Sequence, residues 1–85
     1  MASYSLQIKR SAAKELEAVP LKDRRRIVTR IKGLRTEPRP PGCEKLSGDD
    51  KYLIRQGTYR ILYEIQDQAL IVTVVRVGDR RDVYR

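Results

Sequence analysis

Residues 36–43 carry Pro38, Pro40, Pro41 and Gly42, and this short run divides a stretch of helical periodicity from a stretch of strand periodicity. Proline has no backbone N–H and its ring clashes inside a helix, so no helix crosses this point. The run reads as an extended connector and not as a domain boundary, because in a chain of 85 residues neither side is large enough to fold alone. A single domain over residues 1–85 is expected, with one modest core that buries about 60–65% of the surface the unfolded chain exposes. Such a chain has little room for a deep pocket, so a functional site is expected on an open face.

Ahead of the connector, Tyr4, Leu6 and Ile8 alternate with Ser5, Gln7 and Lys9, the period of a half-buried strand. Ser11 is placed to cap a short helix in which Ala12, Leu16 and Val19 recur at helical spacing, and Pro20 ends it. A second helix is expected over residues 21–35. At 100° per residue, Leu21, Ile27, Val28, Ile31 and Leu34 fall within one arc of about 140° that should face the core. Arg24 and Arg35 fall within the same arc near the ends of the helix, where long stems can cover apolar surface and still reach water. Lys22, Arg25, Arg26, Arg30 and Lys32 lie on the other side. That basic face suits RNA, an acidic partner or plain solvation.

After the connector come three strand-like runs, at about residues 51–55, 59–66 and 69–77. With Gln56-Gly57 and Asp67-Gln68 as two-residue loops, Leu53 lies opposite Arg60, and Ile54 opposite Tyr59. One face then collects Tyr52, Ile54, Tyr59, Ile61, Tyr63, Ile65, Leu70, Val72 and Val74, with Arg76 at its edge. The helices should pack there, which assigns Tyr59 and Tyr63 to the core. The other face collects Leu53, Arg55, Arg60, Leu62, Glu64, Ile71, Thr73 and Val75. Arg55 and Arg60 lie close together on it, and neighbouring like charges are costly unless an anion lies between them. Either an external anion or an ion pair with Glu64 or a terminal acid satisfies that need.

The chain carries 19 Lys and Arg against 11 Asp and Glu, a formal charge of +8, with no histidine. The charge is clustered: residues 22–39 hold eight bases and two acids, and residues 51–85 hold seven bases and four acids. A polyanionic partner is expected. Without histidine, and with Cys43 as the one cysteine, zinc sites of the usual kinds, Ser-His-Asp triads and Cys-His pairs have no residues to form them. Asp49 and Asp50 beside Gly48 suit a turn. Cys43 reads as a loop or edge residue, its solitude suits a reducing cytoplasm, and no apolar run approaches the roughly 20 residues that span a bilayer. What remains is cation chemistry on phosphate. Attack of an RNA 2′-hydroxyl on the adjacent phosphorus needs no metal where cations stabilise the charge gathering on the phosphoryl and leaving oxygens. Arginine grips two oxygens at once but does not deprotonate near neutrality, so it is no general base.

Three segments, Lys45-Leu46-Ser47-Gly48, Gly57-Thr58-Tyr59-Arg60-Ile61-Leu62-Tyr63 and Val77-Gly78-Asp79-Arg80-Arg81-Asp82-Val83-Tyr84, resemble the RelE/ParE superfamily of bacterial and archaeal toxins. The order of one strand, two helices and three strands fits the same family, so the resemblance runs over nearly the whole chain. It implies an α+β fold: an N-terminal strand, a helical hairpin and a three-stranded antiparallel meander, forming a twisted four-stranded sheet with the helices on one face. It also implies a neutralising antitoxin. RelE-type members cut messenger RNA in the ribosomal A site without a cofactor, whereas ParE-type members share the fold and poison DNA gyrase.

Carried over residue by residue, the resemblance makes Arg60 the strand arginine that binds the scissile phosphate, Arg80 the loop arginine that assists the leaving group, and Tyr84 the tyrosine that stacks on a base. Arg55 stands where the family often has a lysine proposed as base, and Leu53 where a second lysine occurs. The expected catalytic set is Arg55, Arg60, Arg80 and Tyr84, with Lys45, Lys51 and Arg81 adding cations for substrate binding. A cytoplasmic, metal-independent, ribosome-dependent mRNA endonuclease of RelE type is the leading expectation. A ParE-like gyrase inhibitor without nuclease activity is the alternative.

Overall fold

The computed structural model describes residues 3–46 and 50–79. In chain order they form β1 (Ser5–Ile8), α1 (Arg10–Glu17), α2 (Leu21–Gly33), β2 (Glu44–Lys45), β3 (Lys51–Gln56), β4 (Tyr59–Gln66) and β5 (Ile71–Asp79). The sheet order is β1-β5-β4-β3-β2, with β1 parallel to β5 and the other neighbours antiparallel. The α+β class and the order of elements agree with the sequence, but the sheet has five strands instead of four. The added strand, β2, pairs Glu44 with Leu53 and Lys45 with Tyr52. Two residues carry no periodicity of their own, so only the neighbouring strand defines them.

The helices begin and end where tertiary bonds dictate. Ser11 does not cap α1: the helix starts at Arg10, with Lys9 at the N-cap position and no side-chain cap. The Lys9 N–H donates to the Val74 carbonyl at 2.9 Å, closing the β1–β5 ladder, and the Lys9 carbonyl accepts from Ala13 N–H at 2.9 Å, opening the helix. One residue thus ends the strand and starts the helix. At the other end of α1, Arg24 reaches back to the carbonyls of Glu17 (3.1 Å) and Val19 (3.2 and 3.3 Å), satisfying acceptors that a helix end leaves open. α2 stops at Gly33, and its last turn tightens through Leu34 N–H to Ile31 O at 3.0 Å. Ile27, Ile31 and Leu34 are buried as the arc requires, whereas Leu21 is 54% exposed. The wheel sets a direction, but the first turn of α2 lies beyond the surface that could cover it.

Both hairpin registers differ from the expected ones by two residues. The β3–β4 loop is Gly57-Thr58, with Gln56 opposite Tyr59; Gly57 has φ +62 and Thr58 is not in the positive region, the signs of a type II′ turn. The β4–β5 connection is residues 67–70, with Gln66 opposite Ile71 and Leu70 N–H donating to Asp67 O at 3.3 Å. Leu70 therefore leaves the apolar face and sits 38% exposed at φ 54. A shift of two preserves which side chains share a face. Tyr52, Ile54, Ile61, Tyr63, Ile65, Val72 and Val74 accordingly form the core under the helices, with Tyr59 packed against it.

A bulge overturns the alternation late in β5. Tyr63 pairs with Val74 and Leu62 with Arg76, so Val75 and Arg76 together oppose Leu62. Val77 is thereby turned into the core, and Arg76 leaves the helix face for the side of Leu62. Glu15 of α1 holds this point, accepting from Val77 N–H at 3.0 Å and from Arg76 at 3.3 Å.

Candidate nucleic-acid interface

The face of the sheet away from the helices is organised in rows by the ladder. Lys51 lies opposite Glu64, Leu53 opposite Leu62, and Arg55 opposite Arg60. Leu53, Leu62 and Val75 are buried and form a small second core, against which Leu46 packs. Charged rows thus lie at either end of an apolar strip.

The arginine row is the candidate site. Arg55 and Arg60 are direct cross-strand partners, a relation that brings Cβ atoms to within about 4.5–5.5 Å. They border a recess of about 300 Å³ at the hairpin tip, lined also by Gly57, Thr58 and Tyr59. Arg55 is exposed and donates to Glu44 Oε1 at 3.1 Å, while Arg60 is half-buried. The acid beside Arg55 is therefore Glu44, brought by β2, and not Glu64. Glu64 stands four residues from Arg60 along β4, about 13 Å away at strand rise.

The remaining expected residues separate. Lys51 shares the face but sits beyond the apolar strip, in a second recess of about 450 Å³ with Arg76 and the start of α1. Lys45 lies opposite Tyr52, whose side chain faces the helices, so register turns it away from the arginine pair. Arg80, Arg81 and Tyr84 lie outside the described residues, as do Gly48 and Asp49 of the expected turn. β5 carries the chain to Asp79 opposite Tyr59, at the same end of the sheet as Arg55 and Arg60.

A larger depression, about 630 Å³, lies on the helix side, where Arg25, Arg26 and Arg30 of α2 approach Glu37, Pro40 and Gln56. Its size does not make it the better candidate for phosphate chemistry. An extended nucleic-acid strand is held along an open run of cations, and the cations fixed opposite one another by a ladder are Arg55 and Arg60.

Two sets of side-chain hydrogen bonds that periodicity does not reveal brace the fold away from this row. Tyr63 is fully buried, and its hydroxyl donates to the Pro38 carbonyl at 2.6 Å with the Cys43 sulfur at 3.4 Å. Burial first, then Cys43, pushes the phenol far above its usual range, so it remains a donor. Arg39 pairs with both Asp67 oxygens at 3.1 and 2.7 Å, lies 5.0 Å from the Tyr52 ring centre, and donates to the Tyr52 hydroxyl at 3.1 Å. Tyr4 donates to Asp67 at 2.7 Å. Arg39 and then Tyr4 draw the Asp67 carboxyl down from 3.8 to about 2. This brace joins the start of β1, the proline connector, β3 and the β4–β5 loop. No local pattern announces it, because its members are far apart in the chain.

Known proteins share this architecture. Residues 6–84 match the family model described as ParE toxin of type II toxin-antitoxin system, parDE. Toxin RelG of Mycobacterium tuberculosis is 52% identical over 31 residues, a match that spans 36% of this chain and 36% of that protein's length. The archaeal RelE-RelB complex from Pyrococcus horikoshii OT3 aligns with a TM-score of 0.84 at 26% identity, covering 95% of this chain and 99% of that one. The RelBE2 toxin-antitoxin complex of Mycobacterium tuberculosis aligns with a TM-score of 0.81 at 27% identity, covering 93% and 100%. Among the described residues, no helix is long and apolar enough to cross a membrane.

Proposed function

Because the chain belongs to the ParE toxin family of type II toxin-antitoxin systems, within the RelE/ParE superfamily, we propose that it is a RelE-type toxin that cleaves messenger RNA on the ribosome and is held inactive by a cognate antitoxin. The observation that carries this reading is the direct pairing of Arg55 with Arg60 on the face of the sheet that the helices leave uncovered. Two guanidinium groups on adjacent strands present several N–H donors to one phosphodiester. As the 2′-oxygen attacks phosphorus, charge rises on the non-bridging oxygens, and donors already in place stabilise it without reorganising. Arg60 and Arg55 bind and polarise the scissile phosphate, Arg80 stabilises or protonates the departing 5′-oxygen, and Tyr84 stacks on a base. Lys51 adds attraction for the RNA backbone further along the face, and Arg81 contributes a further cation for substrate binding. Arginine supplies no base, so proton removal from the 2′-hydroxyl falls to the ribosome or to the positioned mRNA.

A second reading has one observation in its favour, the ParE description of the matching family model. In it the same basic surface binds DNA gyrase and performs no chemistry. Induced expression followed by primer extension on cellular mRNA separates the two. Codon-phased cuts establish the nuclease; DNA damage with intact mRNA establishes the gyrase inhibitor. The antitoxin partner is expected to lay an acidic, partly apolar segment over the arginines or across the helix pair.

A further inference from the structure

The arginine row holds an anion of the chain's own. Glu44 Oε1 lies 3.1 Å from Arg55 Nη2. Main-chain pairing puts it there: β2 sets Glu44 opposite Leu53, two residues before Arg55 on the same face. That is the diagonal relation across a strand pair, spanning about 7–8 Å, which two long side chains close. The backbone around Glu44 is pinned on both sides, by Cys43 N–H to Pro40 O at 3.0 Å and by Leu46 N–H to Lys51 O at 2.9 Å. The ion pair itself stays open to solvent, with side-chain exposures of 58% for Arg55 and 47% for Glu44. An exposed pair is weak and exchangeable. A phosphate arriving at this row therefore meets an arginine already engaged by a carboxylate that an incoming anion can displace.

We propose that Glu44 is a resident competitor for the RNA phosphate, occupying Arg55 so that RNA binding at this row must first displace it. The inference rests on the nucleic-acid reading of this face. A phosphate that takes Arg55 exchanges the Glu44 carboxylate contact for its own, so its gain is reduced by the cost of breaking that pair. Glu44 thereby lowers affinity for RNA at this row by about the worth of one exposed ion pair. It also offsets the repulsion between Arg55 and Arg60 in the free protein.

The test uses the full chain and a short single-stranded RNA whose 2′-hydroxyls are methylated so that it cannot be cut, with binding followed by fluorescence anisotropy. Glu44→Gln should tighten the complex about two- to fivefold, the range that one exposed ion pair commands. Glu37→Gln makes the same change of net charge on the helix side and should produce a smaller gain. In an Arg55→Ala background, Glu44→Gln should change nothing beyond that control. The proposal is overturned if Glu44→Gln does no more than Glu37→Gln, or if its effect survives without Arg55. If Arg55→Ala and Arg60→Ala both bind this RNA as tightly as the wild type, the nucleic-acid reading of the face fails and the competitor role falls with it. If they weaken binding while Glu44→Gln is silent, only the competitor role fails.

Discussion

Replacing Tyr63 with Phe removes one oxygen from the centre of the molecule and leaves the ring in place. The Tyr63 ring lies fully buried beside Tyr52, centres 5.9 Å apart, and should keep that packing. What is lost is the 2.6 Å bond to the Pro38 carbonyl, the tie between β4 and the proline connector. A net hydrogen bond contributes about 1 kcal/mol, and an acceptor left without a donor costs about 1–3 kcal/mol where water is kept from it; for this part-buried bond a loss of roughly 1.5–3 kcal/mol is expected. Unfolding entropy near the midpoint is about 2.1 cal/mol/K per residue, or roughly 180 cal/mol/K for 85 residues. The midpoint should then fall by about 8–16 °C. Thermal unfolding followed by far-UV circular dichroism at one pH and protein concentration measures this. At a temperature well below the lowered midpoint, RNA binding should be unchanged, because Arg55 and Arg60 stand on the ladder and not on the connector. A midpoint shift of less than about 2 °C would refute the reasoning, since it would mean that water reaches the Pro38 carbonyl and the connector is not held by this bond.

Arg60→Ala should reduce cleavage by about 10²–10³-fold, the usual loss when one transition-state donor is removed, while leaving the unfolding midpoint nearly unchanged; a variant that unfolds would place Arg60 in the framework. The lowered Asp67 carboxyl, at about 2 against 3.8, stabilises the fold above the higher value, and this contribution is lost as pH falls through the lower one. Asp67→Asn should therefore lower the midpoint at neutral pH and flatten its decline across that acid window, and an unchanged acid slope would dissolve the brace as an energetic unit. Tyr84→Phe should retain most cleavage and Tyr84→Ala lose much of it, stacking being worth about 1–3 kcal/mol per base. Loss in the Phe variant would move the role to the hydroxyl, and full activity in both variants would leave the site to the arginines.

Alternation in residues 51–77 determined the two faces of the sheet, because a side-chain period of two survives any register shift of two residues. That is why Ile54, Ile61, Tyr63 and Val74 were legible as core, and Arg55 and Arg60 as neighbours on the opposite face, although both registers were two residues off. The proline run likewise marked the change from helix to strand, and the spacing of Ile27, Ile31 and Leu34 marked the buried side of α2. Tertiary structure alone decided where alternation breaks. The bulge at Val75 sends Val77 inward and Arg76 outward, and an extra residue in a ladder is defined only against the opposing strand. It also decided that Ser11 does not cap α1, since the β1–β5 ladder had already set the helix start, and that Leu21 stays exposed. Most consequentially, it placed Glu44 beside Arg55. Two residues of strand leave no periodic trace, and an ion pair across 11 positions depends on a strand pairing that no local pattern encodes.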